Sequence, residues 1–92
     1  MPFGSFMDAV GHPVFLILHG ALALLGVSLW RMSRTAGSPV LARGFLLYIV
    51  AELAYISYHL DFTTLHFAHA FAEVCDALAF LTLGLGIRPR AA

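Results

Sequence analysis

Five histidines and five acidic residues sit among long apolar runs, and their spacing is regular. His66, His69, Glu73 and Asp76 form a His-x-x-His-x-x-x-Glu-x-x-Asp pattern. On an α-helix, at about 100° per residue, these four side chains share an arc of about 80°. Tyr48, Glu52, Tyr55 and His59 share one face of a second segment, and His12, His19 and Gly26 share one face of a third. The pairs His12/His19, Glu52/His59 and His66/Glu73 are each seven residues apart, which is about 10.5 Å along a helix axis. Laid side by side, the three segments put His12, His59 and His66 on one level. His19, Glu52, His69 and Glu73 then make a second level about two turns away, with Asp76 beyond it.

Imidazole and carboxylate together suit zinc, iron or manganese. His69 and Glu73, at i and i+4, can converge on one ion, and His19 with Glu52 would complete a four-ligand set. Asp76 and Tyr55 would orient those ligands from behind. His66 and Asp76 are about 15 Å apart along the axis, so a single ion cannot take the whole row. His12, His59 and His66 would then form a second, shallower site through which a cation arrives. The expected function is therefore binding of a divalent metal or other cation, with transport as one use of it.

Two histidines on different helices can instead ligate one haem b. His19 and His69 are the pair at matching depth, with Gly20 and Gly26 leaving room for a macrocycle. That alternative makes the chain an accessory or haem/quinone-binding subunit of an electron-transport complex. A small bundle with His, Tyr and Asp near one surface resembles, in general form, the membrane anchors of quinone-linked dehydrogenases, although their motifs are absent. A haem would leave the neighbouring carboxylates unneutralised; a metal cation or protons would neutralise them. Chains of Asp, Glu and His also mark proton relays. Here the row ends at Asp76 and nothing titratable follows until Arg88, so one chain offers half a path. A carboxylate beside a histidine serves in other proteins as a purely structural pair.

The elements that must position these groups follow from composition. The chain has 92 residues, 61% of them hydrophobic and 11% charged, with mean hydropathy +0.90. A soluble domain carries about 25% charged residues. The apolar runs cover residues 14–30, 41–60 and 64–87, and a spanning helix needs roughly 17–25 such residues. An all-α integral membrane protein is expected, one domain over 1–92, with spans at about 13–31, 41–60 and 64–87. Pro13 suits the first turn of the first helix, and residues 31–39 read as a loop. Arg43 can snorkel to the headgroups. Asp61 or Thr63 is placed to cap the third helix.

All five arginines (Arg31, Arg34, Arg43, Arg88 and Arg90) fall in or beside the first loop or at the C-terminus. The positive-inside rule makes that side cytoplasmic. The spans then run up-down-up, with the N-terminus outside and the C-terminus in the cytoplasm, and a bacterial inner membrane is the expected location. The first thirty residues carry no Lys or Arg and include Asp8, so the first run is expected to stay as a span instead of being cleaved as a signal. Phe3, Phe6, Met7 and Val10 are expected at the interface. Trp30, Tyr48 and Tyr58 read as interfacial anchors.

Ala68, Ala72, Cys75 and Ala79 form a small-residue stripe nearly opposite the acidic face of the third span. Such stripes mark helix–helix contacts, and this one is expected to meet a second copy or a larger membrane complex. Cys75 reads as a packing residue. No phosphate loop, nucleophile elbow or paired-cysteine motif is present, so no catalytic residue is assigned. The absence of lysine and the zero net charge point away from nucleic acid.

Overall fold

A computed structural model describes residues 9–88 of the protein. Phe3, Phe6, Met7 and Arg90 lie outside the described residues. Three helices follow one another: α1 (His12–Thr35), α2 (Pro39–His59) and α3 (Leu65–Ile87). All three are long and apolar enough to cross a membrane. Their 24, 21 and 23 residues correspond to roughly 36, 32 and 35 Å at 1.5 Å per residue.

α1 continues through Thr35, past the point where residues 31–39 were expected to form a loop. Ser33 and Thr35 donate their hydroxyls to the carbonyls of Leu29 and Arg31, at 2.8 and 3.0 Å. Directed back onto the preceding turn, these polar side chains extend the helix where turn formation was expected. The stop comes at Gly37, which takes the left-handed φ of 78°. Its N–H donates to the Arg34 carbonyl, and that of Ser38 donates to the Ser33 carbonyl. This is the double hydrogen bond of a Schellman end. Ser38 also caps α2 by accepting from the N–H of Leu41, and Pro39 opens the helix.

α2 closes in the same way, with Asp61 at φ 66°. The N–H groups of Asp61 and Phe62 donate to the carbonyls of Tyr58 and Ser57. The cap of α3 is Thr64, whose hydroxyl accepts from the N–H of Phe67 at 3.3 Å. Of the two expected caps, Thr63 pairs its hydroxyl with Ser57 and Asp61 supplies the left-handed turn. These two turns make opposite predictions. Gly37→Ala is expected to lower stability by about 1 kcal/mol, because a Cβ is costly at positive φ. Asp61→Gly is expected to raise it by about 0.5 kcal/mol. Thermal unfolding of the two variants in detergent micelles checks both signs.

α2 is the central helix: α1 and α3 each pack against it and not against each other. The buried apolar residues are small. Ala51, Ala68 and Ala72 are fully buried, and Ala79 and Cys75 nearly so. Large apolar side chains face outward, with Ile17 74% and Leu24 71% exposed. This arrangement is the expected one where lipid is the solvent. Tails are as apolar as leucine, so helices gain from close backbone approach more than from burying bulk.

The stripe Ala68, Ala72, Cys75 and Ala79 was expected to meet another chain. It is instead the face that α3 buries against α2, around a cluster of Ala51, Ala72 and Cys75. α2 offers matching small residues, and two low surfaces fit together within one chain. Cys75 is buried there and free, as a packing residue would be.

Candidate functional site

His12, Phe15 and His19 recur at i, i+3 and i+7 and so share one face of α1. Glu52, Tyr55 and His59 do the same on α2. The two faces meet in antiparallel register. Nδ1 of His12 lies 2.8 Å from Nδ1 of His59, and Nδ1 of His19 lies 2.6 Å from Oε2 of Glu52. Seven residues forward on α1 thus match seven residues back on α2.

The lower pair is enclosed, with side-chain exposures of 16% for His19 and 7% for Glu52. The His19 ring stacks on Tyr55 at 4.9 Å and on His59 at 5.5 Å between centroids. Phe15 covers His59 with nearly parallel rings at 5.2 Å, and Tyr58 meets His12 edge-on. His59 is thus in contact with both other histidines. The result is a continuous file of His12, His59, His19 and Glu52, running from the exposed end of the seam to a buried carboxyl. A separation of 2.6 Å marks a short hydrogen bond between the imidazole nitrogen and the carboxyl oxygen.

Tyr55 links this file to the third helix. Its ring lies on His19, and its hydroxyl donates to Oε1 of Glu73 at 3.0 Å. Oδ1 of Asp76 is buried and has no hydrogen-bond partner among the described residues. Buried acceptors without partners are uncommon.

The chain matches no known protein family, no curated protein and no solved structure.

Of the residues singled out from the sequence, the structure pairs His12 with His59 and His19 with Glu52. It links Glu73 to Tyr55. His66 and His69 are exposed on α3 and join neither group. No group of three or more His, Cys, Asp or Glu placed to hold a metal ion occurs among the described residues. His19 and His69, the candidate haem ligands, sit on α1 and α3, which do not touch. The reason is the angular position of α3's contact: Ala68, Ala72 and Cys75 take the side facing α2, which turns His66 and His69 outward and leaves Glu73 within reach of α2 only through the Tyr55 hydroxyl.

Sequence reasoning did not identify Phe15 as part of the site. Its signal was present, because position 15 lies on the same helical face as His12 and His19, where its ring stacks on His59.

Proposed function

We propose that this chain is a small integral membrane protein that binds a cation at the α1–α2 seam, and that the cation is a proton. The observation that carries the reading is the 2.6 Å contact between His19 and Glu52 in a nearly closed setting. A neutral imidazole beside a carboxylate has net charge −1. One added proton makes the pair neutral overall, whichever atom holds it. Hydrocarbon strongly disfavours net charge, so the seam favours the singly protonated pair. With two ligating groups at that level, a proton fits the site better than a divalent metal does.

His59 and His12 extend the pair toward one end of the bundle. Histidine changes charge near neutral pH, so this file can pass protons between the exposed end and Glu52. Arg31, Arg34 and Arg43 crowd the opposite end of the same seam, where Arg34 also lies over the Trp30 ring at 5.2 Å. With that end in the cytoplasm, the N-terminus is outside and the histidines open outward. Transport is then the uptake half of a path, completed by whatever the chain assembles with.

Infrared difference spectroscopy of the protein in lipid, across a pH titration, tests the reading. A carboxylic-acid C=O band coupled to histidine modes is expected, and it should vanish in Glu52→Gln and shift in His19→Gln. A titration unchanged by both variants would overturn the proposal, as would stoichiometric metal lost from both.

A further inference from the structure

The arginine-bearing end of the bundle carries positive charge with no carboxylate beside it. Arg31, Arg34, Arg43 and Arg88 are all exposed there. Among the described residues no arginine pairs with a carboxylate; the ion pair of the bundle is His19 with Glu52. Glu52 is nine residues from Arg43 along α2, which is about 13.5 Å.

Two of these arginines share a cavity. Trp30, Arg31, Arg34 and Thr35 line an open groove of about 380 Å³ on the last turns of α1. Arg31 and Arg34, three residues apart, lie on one side of the helix. The Arg34 guanidinium sits 5.2 Å from the centroid of the Trp30 ring, within cation–π range, so its position is set before any ligand arrives. The Thr35 hydroxyl donates to the Arg31 carbonyl, which leaves the two guanidinium groups as the donors of the groove. Their forked N–H groups match the oxygens of a phosphate.

The surface below the groove selects among phosphates. Ile17, Leu24 and Arg31 recur every seven residues, so they follow one line down α1. Ile17 and Leu24 are strongly exposed. Leu24 stands about 10.5 Å below Arg31, within one leaflet of a hydrocarbon core about 30 Å thick. A lipid whose phosphate enters the groove lays its tails along this line; a free phosphate gains nothing from it. A zwitterionic headgroup brings its own cation to the phosphate, so a headgroup of net negative charge fits best.

We propose that Trp30, Arg31 and Arg34 form a binding site for the phosphate of an anionic phospholipid, with its acyl chains along Leu24 and Ile17. Basic pockets at the ends of membrane helices take such headgroups. The site is separate from the His19–Glu52 pair, does not depend on proton binding there, and holds in whichever leaflet this end lies.

Trp30 is the one tryptophan of the chain, so its fluorescence reports on the groove directly. The full chain in an uncharged detergent is titrated with phosphatidylglycerol, phosphatidylcholine or inorganic phosphate, and native mass spectrometry counts the lipids retained. Phosphatidylglycerol should give a saturable change in Trp30 emission, with a single lipid retained per chain. Phosphatidylcholine should bind about tenfold more weakly, and inorganic phosphate at the same concentrations should leave the emission unchanged. Arg31→Gln and Arg34→Gln should each weaken phosphatidylglycerol binding about tenfold, with helical content unchanged by circular dichroism. Arg43→Gln, outside the groove, and His19→Gln, in the seam, should bind as the unaltered chain does. Equal binding of the two lipids, an equal response to inorganic phosphate, binding indifferent to Arg31→Gln and Arg34→Gln, or Arg43→Gln as damaging as either would overturn the proposal.

Discussion

Replacing His19 by leucine is expected to cost about 3–5 kcal/mol, more than replacing His19 and Glu52 together. Glu52 accepts from His19 at 2.6 Å and is almost fully enclosed. Removing one partner of a buried ionisable pair leaves the other uncompensated, and that is the expensive event. Removing both leaves two apolar side chains in an apolar seam, which is often close to neutral. Glu52→Leu alone should fall between the two, because a lone imidazole is neutral and loses only its hydrogen bond, about 1–3 kcal/mol. An ordinary hydrogen bond between membrane helices averages about 0.6 kcal/mol, so a large excess for His19→Leu reports the carboxylate and not the bond. Part of the cost, about 0.5–1.5 kcal/mol, belongs to the lost stacking of His19 on Tyr55. A double-mutant cycle by reversible unfolding in micelles measures the coupling. Additive single costs would mean that the two residues do not act as a pair.

The α1–α2 half of the site was legible because two rules acted together. A seven-residue spacing brings side chains back to one face at a fixed rise, and successive spans of a membrane protein run antiparallel. Those two rules put His12 level with His59 and His19 level with Glu52; that the two faces meet and pair these residues is what the structure adds. The α3 half was not legible in the same way. Its sequence carries two coherent faces, a polar one and a small one, and periodicity does not say which of them turns toward α2. Charge suggested the polar face, on the reasoning that hydrocarbon rejects histidine and glutamate. Packing decided otherwise: Ala68 and Ala72 allow α3 to approach Ala51, and a face bearing His69 and Glu73 would have held the helices apart. The extent of α1 was misjudged for a related reason. Ser33 and Thr35 promote turns when their hydroxyls are free to compete for the backbone, but here they bond within the helix.

If close approach is what joins α2 to α3, Gly44→Ala should lower stability by about 1–3 kcal/mol, although alanine is the better helix former by about 1 kcal/mol. A Cβ at position 44 would lie 2.7 Å from both Cγ and Cδ2 of Leu83 and 3.3 Å from the carbonyl oxygen of Ala79. The first clash can be relieved, because shortening Leu83 removes both atoms. The second cannot, because it is backbone. Adding Leu83→Ala should therefore restore only part of the loss. Gly20→Ala provides the matching control: a Cβ there meets nothing within 4 Å, so propensity acts unopposed and stability should rise by about 0.5–1 kcal/mol. Opposite signs for the same substitution, measured by unfolding in the same micelles, would separate helix packing from helix propensity. A stabilising Gly44→Ala would mean that the α2–α3 contact is looser than these distances require.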